Sequence, residues 1–135
     1  VEEQLANGKD VILEIEIQGA LKIKERFPQA LLLFVTTKSA KVLRDRLVGR
    51  GTETLEVIND RLARAVEESE GMGKYEYIIV NDDLDACVEE THTIIQKAKA
   101  AAFRNEEFIK NIQQELKDLS KGEKYGKSYW YFKKV

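Results

Sequence analysis

Arginine side chains are concentrated in one part of this sequence. Five of its seven arginines lie between residues 44 and 64: Arg44, Arg46, Arg50, Arg61 and Arg64. Arginine carries a planar fork of donors that matches phosphate oxygens, whereas lysine is a point charge. Arg46 and Arg50 flank a glycine, and Arg61 follows in a segment with helical period. The spacing predicts two helices joined by a glycine turn. Together they would form a flap that closes arginines over phosphates and excludes water. The alternative is a solvated helical face with surface salt bridges.

Two carboxylates, Glu14 and Glu16, lie in an apolar, β-branched segment at residues 11–17, which Gly8 and Gly19 bound. This composition predicts a strand. One face of that strand is apolar, and the other becomes acidic only near the carboxyl end, where α/β sheets bind ligands. Carboxylates at the end of a buried strand need partners. They therefore bind donors of a ligand, or they cap or pair with the next element.

Asn81 directly follows the apolar segment 75–80, which is predicted to be a strand. The residue therefore lies at the sheet edge where a doubly wound fold exposes its ligand contacts. The alternative is an Asx-type turn that leads into a helix capped near Asp82 or Asp83. Both interpretations can hold together.

Strands and helices alternate along the chain. A continuous apolar run at residues 31–35 predicts a further strand, covered on both faces. Apolar residues at helical spacing predict the helices, at residues 1–7, 20–26, 38–48, 54–70, 84–102 and 106–119. Thr54 is the expected N-cap of the fourth. The alternation predicts an α/β fold with a parallel sheet.

The composition of the chain limits the classes of function that we expect. The chain has 135 residues, 43% hydrophobic and 34% charged, with a net charge of −2. This balance gives no reason to expect nucleic acid or an anionic membrane as partner. The single cysteine, Cys87, favours a reducing, cytoplasmic location, and the chain starts without the pattern of a signal peptide. Cys87 and His92 stand alone on a predicted helix, so we expect no metal site.

Three segments together resemble the guanylate kinases. Residues 8–19 resemble the strand that follows the GMP-binding region of that family. Residues 46–54, Arg-Leu-Val-Gly-Arg-Gly-Thr-Glu-Thr, followed by Ile-Asn-Asp-Arg-Leu at 58–62, resemble the family's lid. Residues 77–85 resemble its last strand and adenine-side loop. The three occur in family order and spacing, across residues 1 to about 100.

The resemblance implies a fold and a domain division. The fold would be a partial P-loop nucleoside-monophosphate-kinase fold: a three-stranded parallel sheet with helices and a helical lid at about residues 44–70. Residues 1–102 would form the guanylate-kinase-like part. Residues 103–135 would form a helical extension with an aromatic, basic tail.

The resemblance also implies ATP-dependent phosphorylation of GMP or dGMP, with Mg²⁺ as cofactor, and it assigns site residues. Arg46, Arg50 and Arg61 would contact ATP phosphates or the transferring group, with Arg50 also near the adenine. Glu16 would accept hydrogen bonds from the guanine N1–H and exocyclic amine, a position where family members often carry Asp. Glu14 would lie nearer the phosphates, and Asn81 would border the adenine pocket.

The sequence contains no phosphate-binding loop. Residues 122–128 approach the pattern G-x-x-x-x-G-K-[ST], but they have one residue too few between the glycines and follow a helix instead of a strand. Without that loop, β- and γ-phosphates lose their main cradle. We therefore expect a polypeptide of these 135 residues to be inactive alone. Unpaired strand edges would also favour homo-oligomers.

Two other function classes are open to the sequence. A non-catalytic module of guanylate-kinase descent would bind a protein partner, although such a surface has no need of arginines that close on phosphate. The aromatic and basic residues 129–134 could stack on nucleic acid bases. Packing on protein is the favoured interpretation of that tail, because the whole chain is acidic.

Overall fold

A computed structural model describes residues 1–121 of the chain. The sequence predictions for residues 122–128 and 129–134 lie outside the described residues. The helices and strands follow in the order α1 (Glu2–Ala6), α2 (Ile17–Arg26), β1 (Leu33–Thr36), α3 (Ala40–Gly49), α4 (Leu55–Glu70), β2 (Tyr77–Val80), α5 (Leu84–Lys99) and α6 (Glu106–Ser120). Short 3-10 turns precede β2 (Met72–Lys74) and α6 (Ala102–Arg104).

The chain separates into two compact units. The first comprises Val1–Thr93, and the second begins at Ile94, so that the division falls within α5. The first unit holds both strands and the hairpin of α3 and α4. The domain boundary predicted between residues 102 and 103 stays a prediction. Within residues 1–121, no helix is both long enough and apolar enough to cross a membrane.

The sheet pairs β1 and β2 in parallel, with Leu33 opposite Tyr77 and Thr36 opposite Val80. The α3–α4 hairpin lies in the connection between these two strands. Ile79 is fully buried, with 0% of its surface exposed. Phe34 meets Tyr75 edge to face at a ring-centroid distance of 5.1 Å. The predicted α/β class is confirmed, and both strands form where an apolar run was followed by polar residues.

The strand predicted at residues 11–17 is wrong. Residues 11–16 have no regular secondary structure, and Ile17 begins α2. No backbone hydrogen bond joins residues 11–15 to another segment within residues 1–121. A strand exists only where a neighbouring strand accepts and donates its backbone hydrogen bonds. β-branched composition alone therefore gives an extended segment here, in which Ile12 is 83% exposed. The sheet among the described residues has two strands, not three.

Two N-cap residues determine where the helices of the α3–α4 hairpin begin, and a glycine turn connects them. Ser39 Oγ accepts a hydrogen bond from the Val42 N–H (3.2 Å), and Thr54 Oγ1 accepts one from the Val57 N–H (3.3 Å). Both bonds satisfy donors that a helix start leaves open, and the predicted N-cap at Thr54 is confirmed. Between the helices, Gly51 adopts a φ of +64°. We keep the name lid for residues 44–70.

We expect Gly51→Ala to destabilise the chain by about 1–2 kcal/mol, because an L-residue in this left-handed conformation brings its Cβ against the following carbonyl. The matched control is Gly49→Ala in the last turn of α3, where a Cβ would meet nothing within 4 Å. That change should be neutral or stabilise by up to about 1 kcal/mol. Urea denaturation of both variants checks the difference, and equal effects would contradict the proposed role of Gly51.

The prediction that the strand at residues 31–35 is covered on both faces is wrong, because both faces of the sheet keep apolar side chains in contact with solvent. Val35 is exposed on one face, and Ile78 and Val80, two residues apart, are exposed on the other. Exposed apolar side chains favour association with other protein surfaces, and we expect a second copy of the chain to be such a partner. Light scattering at rising concentration should therefore report dimers or larger species. Ile78→Thr with Val80→Thr should shift the population toward monomer, whereas Val48→Thr, at an exposed position in α3, should not. A monomer at high concentration would contradict this expectation.

Candidate functional site

The site predicted at Asn81 lies where the chain leaves β2. The Asn81 N–H donates to the Thr36 carbonyl at the end of β1 (2.7 Å), which extends the strand pairing by one bond. Two residues later, Asp83 Oδ2 accepts from the Ala86 N–H (2.9 Å) at the start of α5. The predicted cap near Asp82 or Asp83 is confirmed at Asp83. Asn81 is thus fixed by its backbone at the shared carboxyl end of both strands.

Arg46 joins the lid to this loop. In the last turn of α3, its Nη1 donates to the Asn81 carbonyl (2.8 Å) and its Nη2 to the Asp82 carbonyl (3.3 Å). Lys38 Nζ lies 3.6 Å from Asp82 Oδ2 and adds an exposed ion pair to the same loop. The structure therefore brings together two residues that the sequence placed on separate segments, Arg46 and Asn81. Neither hydrogen bond uses the side chain of Asn81.

The other two lid arginines have different surroundings. Arg50 is the exposed C-cap residue of α3. Arg61 forms an ion pair with Glu53, with Nη2 and Oε1 2.6 Å apart. Among the described residues, no hydrogen bond or ion pair joins Arg50 or Arg61 to the loop after β2 that binds Arg46. Sequence reasoning missed Glu53, although it lies in the Arg-Gly-Thr-Glu-Thr segment that carried the resemblance.

Glu16 caps α2. Its Oε1 accepts from the Gly19 N–H (2.7 Å) and its Oε2 from the Gln18 N–H (2.8 Å). The capping alternative is therefore confirmed for Glu16, and its predicted contact with guanine stays a prediction. A carboxylate has about four acceptor sites, so capping leaves lone pairs on each oxygen. Glu14 is exposed, and its role near the phosphates also stays a prediction.

Sequence reasoning also missed Tyr75, whose phenol is influenced by nearby negative charge. Burial raises the pKa of the Tyr75 phenol above its ordinary value of 10.0, and the carboxylates of Glu68 and Glu16 raise it further. The end of α4 also contacts the start of α2, because a Cβ at Gly71 would lie 1.9 Å from Ile17 Cδ1. The end of the lid helix and the Glu16 cap are therefore neighbours.

A match to a protein-family model decides the family. The model for guanylate kinase covers residues 1–98 of this chain. The chain belongs to the guanylate kinase family. Among curated guanylate kinases, that of Halalkalibacterium halodurans is 50% identical over 95 residues, which are 70% of this chain and 47% of the relative. Those of Caldanaerobacter subterraneus and Oceanobacillus iheyensis are 43% and 42% identical, over 84% and 87% of this chain and 55% and 56% of the relatives.

This guanylate kinase family chain spans about half the length of the curated relatives it matches. The matched residues include both strands, the lid and the loop that contains Asn81. They also include Glu53 and Tyr75, the two residues that sequence reasoning missed. Within residues 1–121, no three His, Cys, Asp or Glu side chains converge to form a metal site.

The raised pKa of Tyr75 predicts a pH-dependent stability. The unfolded chain loses this phenolic proton near pH 10, whereas the folded chain holds it to higher pH. The folded state therefore binds more protons above pH 10, and its free energy of unfolding falls as the pH rises through that range. Urea denaturation between pH 8 and 11 should show a steeper fall for the wild type than for Tyr75→Phe. Parallel curves would count against this contribution.

Proposed function

We propose that this chain supplies the lid, part of the guanine contact and the adenine wall of an enzyme that phosphorylates GMP or dGMP with ATP. Family membership supports the proposal, and so does one observation in particular. Arg46 of the lid donates hydrogen bonds from Nη1 and Nη2 to two carbonyls of the loop after β2, which places an arginine fork beside Asn81. A doubly wound sheet binds its nucleotides at that edge.

The proposed chemistry depends on positive charge placed around transferring phosphate. A phosphoryl group in transit spreads negative charge over its oxygens, and catalysis consists largely of positioning and charge stabilisation. Arg50 and Arg61 would contact the phosphates when the lid closes by a change of angle at the Gly51 turn. Two of the five N–H donors of Arg46 are bonded to backbone carbonyls, so three N–H groups are left for a nucleotide. Asn81 would border the adenine.

Recognition of the base is proposed for Glu16. Its two capping bonds hold the carboxylate rigidly at the start of α2, and the remaining lone pairs can accept the guanine N1–H and exocyclic amine. An adenine base presents no N1–H donor, so an acceptor at this position would select guanine. Glu14 would lie nearer the phosphates. Mg²⁺ would enter bound to the phosphates of ATP, where it would neutralise their charge.

The 135 residues contain no phosphate-binding loop, and we propose that this polypeptide alone is inactive and acts with the residues that supply one. The enzyme would act in the cytoplasm on GMP and ATP, and it would bind neither nucleic acid nor a membrane. The second candidate is a non-catalytic protein-interaction module. One observation favours that candidate: Arg46 and Arg61 are both engaged by groups of the chain itself.

A chimera separates the two candidates. It joins this chain to the part of the Halalkalibacterium halodurans guanylate kinase that the chain does not span, and a coupled assay follows GDP formation from GMP and ATP. We expect the chimera to be active and the 135-residue chain alone to be inactive. Arg50→Ala and Arg61→Ala should each lower kcat about 10²- to 10³-fold, as removal of a charge-stabilising donor does in other enzymes.

The matched controls are Arg44→Ala and Arg64→Ala, because both residues are exposed arginines of the same lid. Each should leave kcat within about twofold of the unaltered chimera, as is usual for exposed side chains outside a site. Arg46 is omitted because its bonds to the loop would confound packing with catalysis. Equal losses at all four positions would contradict the assigned roles. Activity of the chain alone at a kinase-like rate would contradict the predicted inactivity.

A further inference from the structure

Glu53 contacts a predicted catalytic residue and has no assigned role. It lies in the loop between α3 and α4, one residue before the Thr54 cap. Its Oε1 lies 2.6 Å from Arg61 Nη2, which belongs to α4 about two turns further along the chain. Side chains of a helix lean toward its amino terminus, so a long arginine at position 61 reaches back to this loop. The pair therefore joins the loop to the outer surface of the helix.

The two partners differ in exposure. The Glu53 side chain is 19% exposed, whereas that of Arg61 is 44% exposed. Glu53 Oε2 is buried, and no donor of the described residues reaches it. A carboxylate withdrawn this far from water needs a cation beside it. Glu53 is therefore the fixed member of the pair, and Arg61 is the member that still faces solvent.

We propose that Glu53 is a positioning residue for Arg61. It holds the guanidinium by one nitrogen and directs the remaining donors toward a nucleotide phosphate. This inference rests on the phosphate-binding role proposed for Arg61. A guanidinium has five donors, so one carboxylate and one phosphate can be bound together. A free arginine samples many rotamers, and binding must then order it; a guanidinium already held in place avoids that cost.

A competing arrangement uses the same contact. Glu53 could withhold Arg61 from phosphate, in which case loss of its charge would strengthen phosphate binding. Loss of any carboxylate near an anion site also strengthens binding through charge alone. The test therefore needs a control variant with the same charge change in the same lid. Glu56→Gln provides it, because Glu56 lies in the first turn of α4 and has no ion pair with Arg61.

The experiment uses the full chain and inorganic tripolyphosphate as the probe. Nitrogen-15 NMR follows the Arg61 Nε–H signal, which is assigned by its disappearance in Arg61→Lys, and the titration gives Kd. We expect the signal to shift with tripolyphosphate in the wild type. Kd should rise about three- to tenfold in Glu53→Gln, the effect of ordering one rotamer-rich side chain, and should stay equal or fall in Glu56→Gln.

Glu53→Asp tests the same inference without a change of charge. The carboxylate is retained but is one methylene shorter and loses its reach to Arg61, so Kd should again rise. This variant also decides the question if Glu53→Gln fails to fold, which the amide spectrum shows directly.

Two results would overturn the inference in distinguishable ways. If Kd in Glu53→Gln is equal to or lower than in Glu56→Gln, and Kd in Glu53→Asp is equal to or lower than in the wild type, Glu53 does not position Arg61, while the proposed function stands. If tripolyphosphate leaves the Arg61 signal of the wild type unmoved, the phosphate role of Arg61 fails, and the inference fails with it.

Discussion

The contact of Arg46 with the Asn81 and Asp82 carbonyls joins the two halves of the candidate site. α3 carries Arg46 in its last turn, and the accepting loop leaves the end of β2. Backbone carbonyls cannot move without the strand to which they belong, and Asn81 is itself bonded to Thr36 at the end of β1. The base of the lid is therefore fixed to the sheet, while the glycine turn beyond Arg46 is free of such a bond. A flap needs both a fixed base and a turn that can change its angle.

The three arginines of the proposed site have three different environments. Arg46 donates to uncharged carbonyls, Arg61 pairs with a largely buried carboxylate, and Arg50 is exposed at the end of α3. A carbonyl holds a guanidinium without cancelling its charge, whereas a carboxylate cancels much of it. Within residues 1–121, no carboxylate forms an ion pair with Arg46 or Arg50, whereas Glu53 pairs with Arg61.

The sequence predicted the elements that local chemistry determines and failed where distant partners decide. The caps at Thr54 and Asp83, the two strands and the glycine turn between α3 and α4 follow from residue types within a few positions. The extended segment at residues 11–16 has strand composition, but it has no neighbour among the described residues to complete its hydrogen bonds. The Glu53–Arg61 pair spans eight positions and depends on the lean of a helical side chain. The raised pKa of Tyr75 depends on burial and on two carboxylates from separate segments. No periodicity encodes any of these three.

The close approach of Gly71 to Ile17 has a consequence for how this sequence can vary. Ile17 Cδ1 occupies the volume that any side chain at position 71 would require, so the two positions share the space of one side chain. A larger residue at 71 is tolerated only with a smaller one at 17, or with an isoleucine that turns aside. Across family members the sizes of these two residues should covary inversely, and their substitutions should be non-additive in a double-mutant comparison. Evolution can therefore alter the end of the lid helix only together with the residue next to Glu16.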